Sequence, residues 1–288
     1  MPTKIYLSTL ARVVDPEHAQ INVLDRGLLY GDSIYETQRT AGGRIVAWPA
    51  HLARLRRSAE GLGIDLPWSD GQLTEIVERT HAATGNPDSV LRVIITRGVG
   101  PLMLDPRQAL SPTLIVLAFP LHLPDEATYL RGLRARIVDL VKAPGGGLDP
   151  SLKTGNYLPS VQALRQALAA GDDDAIFCTP TGGVAEGATS NVFAVIGGEL
   201  RTPPLSEGLL SGITRALILG LGRGLGIPVR EAPISPDELR AADEVMLTSS
   251  VRGPIAVTTL DGRPVGPGGE GPITARLRRA YADALTRV

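Results

Sequence analysis

The sequence predicts an α+β protein of two unequal α/β domains joined by a short linker. Three observations predict it. At 288 residues the chain is long for one hydrophobic core, so by length alone one large or two unequal domains are expected. Apolar residues recur at helical spacing in some segments and form short strand-like runs in others, interleaved along the whole length. The proline-bearing stretch Pro120 to Glu126 follows a strand-like run, which places a linker at 121–126 between a smaller domain, 1–120, and a larger one, 127–288.

The composition narrows the class. Hydrophobic residues make up 43% and charged residues 20%, the balance of a packed globule rather than a disordered chain. A net charge of −1 gives no basic surface for nucleic acid. The single Cys178 excludes an internal disulfide and suits a reducing compartment; following Ala175-Ile176-Phe177, it reads as a buried small hydrophobe. His18, His51, His81 and His122 lack metal-ligand spacing, so no metal is expected. The first residues hold no signal-peptide run, and no later stretch could span a bilayer. The expectation is a cytoplasmic protein without membrane or nucleic-acid partners.

Residues 4–14 alternate loosely and predict short strands, and Asp25-Arg26-Gly27 a turn. A strand over Ser33 to Arg39 is followed by Gly42-Gly43 and Arg44 to Trp48, a hairpin signal. Pro49 opens a helix whose stripe is Leu52, Leu55, Ala59 and Leu62, closed by Gly63. A second helix runs from about Gln72 to Ala83, then strands over Ser89 to Thr96 and Thr113 to Phe119.

The second half opens with a strand, Leu133 to Val141. A Gly/Pro loop, Ala143 to Pro150, leads into Lys153 and a helical run with Val161, Leu164 and Leu168 beside Ala163 and Ala167. Short strands alternate with turns from Asp174 to Arg201, including a Gly197-Gly198 hairpin. Leu209 to Thr214 precedes a Leu/Gly-rich helix; a strand at Pro228 to Arg230 and a short helix after Ser235 lead to a strand over Glu244 to Thr248. A final amphipathic helix starts near Pro272. Gly145-Gly146-Gly147 and the glycines from Gly266 to Gly271 lack phosphate-loop spacing and read as ordinary loops.

Chemistry concentrates in Ser151-Leu152-Lys153-Thr154-Gly155-Asn156-Tyr157-Leu158, and in Glu186-Gly187-Ala188-Thr189-Ser190-Asn191 after a strand-like run. In this order the motifs resemble the fold-type IV enzymes that use pyridoxal 5′-phosphate. That family holds branched-chain aminotransferases, D-amino acid aminotransferases and aminodeoxychorismate lyases. The resemblance spans nearly the whole chain and implies the family's two-domain fold and a homodimer.

The resemblance makes Lys153 the lysine that bonds the cofactor's aldehyde and shuttles a proton, work that requires a neutral amine. It sets Glu186 against the pyridine nitrogen, keeping the ring protonated. It makes Arg54 a clamp on the phosphate, and helical projection places Arg54 beside the apolar stripe. It gives Tyr157 a hydrogen bond to the phenolic oxygen; a four-residue spacing would set that phenol beside Lys153 if the backbone there were helical. Gly212, Ile213 and Thr214 open a helix, where free N–H groups suit an anion. Ser249 and Ser250 end a strand and add hydroxyls. Asn191 is expected only to fix its loop.

For the substrate, the loop Arg97 to Asp105 carries Pro, Leu, Met and Leu after Gly100. It lacks the arginine typical of the lyases there, and also the arginine and histidine of well-known D-amino acid enzymes. Branched-chain relatives hold the carboxylate near the turn after the strand matching Glu244 to Thr248, with small neutral residues. Here that turn reads Ser249-Ser250-Val251-Arg252. Arg92 sits inside the apolar strand Val90 to Ile95, where a charge needs a partner. The resemblance implies that Arg26 and Tyr35 border the same pocket, so Arg26, Tyr35 and Arg92 are the candidate substrate residues, and the expectation is a transaminase of D-amino acids and 2-oxo acids. The alternatives are a branched-chain L-amino acid aminotransferase, then an aminodeoxychorismate lyase, and last a non-catalytic relative.

Overall fold

Why two sheets form is visible in the strand register. The structure, a computed structural model, describes residues 2–109, 111–142, 149–266 and 268–286. The Gly145-Gly146-Gly147 loop expected from the sequence lies outside these residues, as does Pro267 of the later glycine-rich stretch.

By its contacts the chain forms two units, the first running from residue 2 to His122 and including Leu152–Asn156, the second comprising the described residues of 123–151 and 157–286. The first divide falls between His122 and Leu123. The Lys153 segment, expected in the larger domain, goes with the smaller one.

The first unit contains β1 (Lys4–Leu7), β2 (Arg12–Val14), α1 (Arg26–Tyr30), β3 (Ser33–Ala41), β4 (Arg44–Ile45), α2 (Trp48–Leu62), α3 (Asp70–Ala82), β5 (Ser89–Thr96) and β6 (Thr113–Pro120). The strands pair antiparallel in the order β2-β1-β6-β5-β3-β4. Gly42 and Gly43, both at positive φ, make the tight turn between β3 and β4 that non-glycine residues resist. The Asp25-Arg26-Gly27 turn is the start of α1, capped when Asp25 accepts from the Gly27 N–H. Ser69 and Gln72 cap α3 reciprocally.

One sheet face packs Ile34, Leu91, Val93, Ile95, Leu114 and Val116 against Leu52, Leu55 and Ala59 of α2 and Leu73, Ile76 and Val77 of α3. Strand alternation sends the neighbouring residues to the other face. There Thr37, Arg92, Ile94, Ile115 and Leu117 are only half-buried.

The second unit contains α4 (Glu126–Arg131), β7 (Leu133–Val141), α5 (Leu158–Ala169), β8 (Asp174–Cys178), β9 (Val184–Gly187), β10 (Asn191–Ile196), β11 (Glu199–Thr202), α6 (Ile213–Gly224), β12 (Val229–Glu231), α7 (Pro236–Arg240), β13 (Glu244–Ser249), β14 (Gly253–Leu260), β15 (Arg263–Pro264) and α8 (Pro272–Thr286). Its sheet runs β12-β11-β10-β13-β14-β7-β8-β9, with β15 on β14.

Within the helical run of α5, Ala163 and Ala167 are buried while Val161 and Leu168 are exposed. Small side chains let the helix lie close against Ala175, Phe177 and Ala185. One expectation is corrected here: the i to i+4 argument for Tyr157 fails. Residues 153–155 are extended, bonding β3 through Tyr35 N–H to Lys153 C=O and Gly155 N–H to Ser33 C=O, and α5 begins only at Leu158.

Candidate active site

In the first unit three of the expected residues converge. Backbone pairing with β3, together with a 3.1 Å bond from the Lys153 N–H to Ser58 Oγ, fixes the lysine's position. Its Nζ lies 4.3 Å from the centre of the Tyr35 ring, and the Arg92 guanidinium carbon lies 4.5 Å from the same centre. Such cation–ring contacts are worth about 0.5–2 kcal/mol each. Arg92 therefore leaves the apolar core for the half-buried face and comes beside the lysine's ring partner.

Arg54 is buried, as its projection allowed. Its Nε donates to Glu36 Oε1 at 2.8 Å and its Nη2 to Oε2 at 2.7 Å. His51 Nδ1 lies 2.7 Å from the same Oε2. Burial alone would raise the Glu36 carboxyl, but the hydrogen bonds from Arg54 and His51 and the charge of Arg54 bring it down to about 2. Burial lowers His51, against the pull of Glu36, so the ring is neutral near pH 7 and its Nδ1–H donates to the carboxylate. The sequence reading missed Glu36 and His51. The signal was there for Glu36, two residues from buried Ile34 and hence on the same strand face.

Arg26 does something other than expected. Its Nε donates to Asp32 at 2.9 Å, Nη1 to the Met103 C=O at 2.7 Å and Nη2 to the Leu104 C=O at 3.1 Å. Arg97 bonds the same Asp32 oxygen at 2.8 Å. Burial opposes ionisation of Asp32, but hydrogen bonds from Arg97 and Arg26 hold its carboxyl below the usual range. Arg26 thus pins the loop that carries Met103 and Leu104 and holds Asp32.

In the second unit Glu186 lies buried on β9. Oε2 accepts from Asn191 Nδ2 at 3.1 Å and from the Leu210 N–H at 2.9 Å, and Oε1 accepts from Lys142 Nζ. Asn191 Nδ2 also donates to the Leu210 C=O, tying Glu186 to the chain entering α6. Gly212 is the N-cap of α6, with no side chain capping it. A Cβ at Gly212 would meet Asn191 Oδ1 at 1.9 Å, so only glycine fits. Thr214 is buried in the first turn.

Asn191 faces Thr248 across the β10–β13 pair, and Ser249 and Ser250 follow directly, both half-buried. The hydroxyls of Ser190 and Thr248 are buried with no hydrogen-bond partner among the described residues. An uncapped helix start, a glycine cradle, orphaned hydroxyls and an anchored carboxylate are a donor and acceptor set that fits a phosphorylated pyridine. Tyr157 is half-buried at the N-cap of α5.

The first unit thus holds a lysine fixed by its backbone and an oriented arginine, and the second an anchored carboxylate. The model of the amino-transferase class IV family matches residues 33–260. A Methanocaldococcus jannaschii protein provisionally named a branched-chain-amino-acid aminotransferase is 36% identical over 284 residues, 99% of this chain and 97% of its own. A D-alanine aminotransferase of Bacillus licheniformis is 30% identical, with 95% of each chain covered. The solved branched-chain amino acid aminotransferase of Escherichia coli superposes at a TM-score of 0.92 with 29% identity, covering 98% of this chain and 94% of that one. The chain belongs to the class IV aminotransferases. These enzymes use pyridoxal 5′-phosphate, and the fold is the fold-type IV α+β arrangement that the motifs implied.

Proposed function

We propose that this aminotransferase moves the amino group of a branched-chain L-amino acid such as leucine onto a 2-oxo acid, in two half-reactions on one site. The observation carrying this reading is the pair formed by Arg252 and Asp174. Arg252 Nη2 donates to buried Asp174 Oδ2 at 2.5 Å. The charge that set the Ser249–Arg252 turn apart from branched-chain enzymes is thereby taken up by a carboxylate of β8. What the turn then offers a substrate is its small residues and backbone. The Methanocaldococcus jannaschii relative and the Escherichia coli structure favour the same substrate class.

Pyridoxal phosphate, when bound, supplies the electron sink for a carbanion at the substrate's α-carbon. Lys153 is assigned to hold its aldehyde and, once freed by the incoming amine, to move the proton at the α-carbon. Glu186 is assigned to the ring nitrogen and Tyr157 to the phenolic oxygen. Arg54, the α6 start at Gly212, Ile213 and Thr214, and Ser249 and Ser250 are assigned to the phosphate. The exposed Leu102 and Leu104 of the first unit, and the exposed Leu158 and Val161 of the second, support a homodimer, since exposed large apolar side chains call for cover. Among the described residues no helix is long and apolar enough to cross a membrane, and a cytoplasmic location is proposed with this reading.

A second reading, transamination of D-amino acids, rests on Arg92 beside Tyr35 and on the D-alanine aminotransferase relatives. Stopped-flow half-reactions of the yellow enzyme with L-leucine, L-glutamate, D-alanine, D-glutamate and an (R)-arylamine separate the two. L-leucine is expected to bleach it fastest. Faster bleaching by either D-amino acid would replace the first reading with the second.

A further inference from the structure

We propose that Lys142 is an exchangeable counter-ion of Glu186, pairing this carboxylate while the cofactor is absent and yielding Oε1 when the pyridine nitrogen arrives. The inference rests on the assignment of Glu186 to that nitrogen.

The donors around Glu186 are unequal. Oε2 is held by the Asn191 side chain and the Leu210 N–H, both fixed by the chain entering α6. Oε1 is held by Lys142 Nζ. A ring N–H arriving at this carboxylate therefore comes to the oxygen Lys142 occupies. An ammonium and a pyridinium on one buried carboxylate would leave an unbalanced positive charge in a medium of low polarity, which is costly. One cation must withdraw, and Lys142 can.

Its backbone is anchored to β8, where the Lys142 N–H donates to the Cys178 C=O at 2.9 Å. Its side chain keeps 30% of its surface in solvent, against 8% for Glu186. Four methylenes let the ammonium swing to water without moving the strand. Without Lys142, the cofactor-free protein would bury a carboxylate with two neutral donors and no cation. With it, that state is paired, and the cofactor meets a site that must first open.

Cofactor affinity is then lowered by the fraction of molecules in which Lys142 is engaged. Apo protein in wild-type form and as Lys142→Met, Lys142→Arg and Glu186→Gln would be titrated with pyridoxal phosphate by tryptophan-fluorescence quenching. Complexes with ring-¹⁵N-labelled cofactor would then be read by NMR. Lys142→Met is expected to bind on the order of tenfold more tightly, to lose apo thermal stability, and to regain that loss on binding. Lys142→Arg should stay near wild type, and Glu186→Gln should move the ring nitrogen signal toward neutral pyridine. Unchanged or weaker binding by Lys142→Met, with Glu186→Gln still moving the signal, overturns the counter-ion role alone. An unmoved signal in Glu186→Gln overturns the assignment of Glu186 itself, and the inference with it.

Discussion

Glu36 accepts two hydrogen bonds from Arg54, from Nε at 2.8 Å and Nη2 at 2.7 Å, where β3 faces α2. The pair turns Arg54 from a mobile cation into an oriented set of donors. His51, on the same helix, secures the carboxylate from a second side. Lys153 adds a further charge that acts on His51.

This arrangement makes the protein sensitive to acid. The Glu36 carboxyl titrates at about 2 when folded, against 4.5 for the ordinary group. Its stabilisation is complete above about 4.5 and is lost as pH falls toward about 2, on the order of 3 kcal/mol in all. His51 is also held low, so below 6.5 the unfolded chain takes up a proton that the folded one declines. Both groups act with the same sign. Urea midpoints should decline from pH 7 to pH 3, and His51→Gln should flatten the upper part of the decline. Glu36→Gln should flatten the lower part while costing about 3–5 kcal/mol at neutral pH, because it strands the buried Arg54. An unaltered slope below pH 4.5 in that variant would show that Glu36 is not the group titrating.

Arg26→Ala should act on stability before it acts on substrate. It removes a buried ion pair with Asp32 and two bonds to the Met103 and Leu104 carbonyls. A loss of about 2–4 kcal/mol is expected, with faster proteolysis near Leu102 to Asp105. Unchanged melting combined with a raised KM for amino acids would return Arg26 to the substrate site.

Arg92→Ala separates the two substrate readings. If D-amino acids are substrates held by Arg92, the variant raises their apparent KM about tenfold or more, as loss of a charge-assisted hydrogen bond would. An uncharged (R)-amine donor would be spared. If L-leucine is the substrate and its carboxylate sits at the turn after β13, the KM for leucine changes less than about threefold. A tenfold rise for leucine itself would place its carboxylate at Arg92.

Lys153→Ala should abolish turnover yet leave cofactor bound through its phosphate contacts. Borohydride reduction of wild type followed by peptide mass spectrometry should find the cofactor on Lys153. Recovery on Lys142, the other lysine of this region, would overturn the assignment of Lys153 and the counter-ion role together.

Periodicity by itself located most elements, because a buried face must repeat at the spacing of its own backbone. The helix over Trp48–Leu62 and the strands over Ser33–Ala41 and Leu133–Val141 stood in the apolar pattern. Lys153 and Glu186 stood out through the resemblance of their motifs, not through the apolar pattern. The strand Gly253–Leu260 did not stand in that pattern, although it lies centrally between β13 and β7. It opens with Gly-Pro, which locally reads as loop, and a proline is tolerated near a strand's first residue. On α5 two stripes have helical spacing, and only the sheet beneath selected Ala163 and Ala167 over the larger residues.

What tertiary structure alone decided was the partner of each charge. Arg26, Arg54, Arg92 and Arg252 look alike as residues in a sequence. Folding gives them Asp32, Glu36, the Tyr35 ring and Asp174. Arg252 and Asp174 are 78 positions apart, and Lys142 and Glu186 are 44 apart. Local pattern sets the backbone, but a buried charge must find its counter-charge wherever the chain returns, and no spacing rule encodes that meeting.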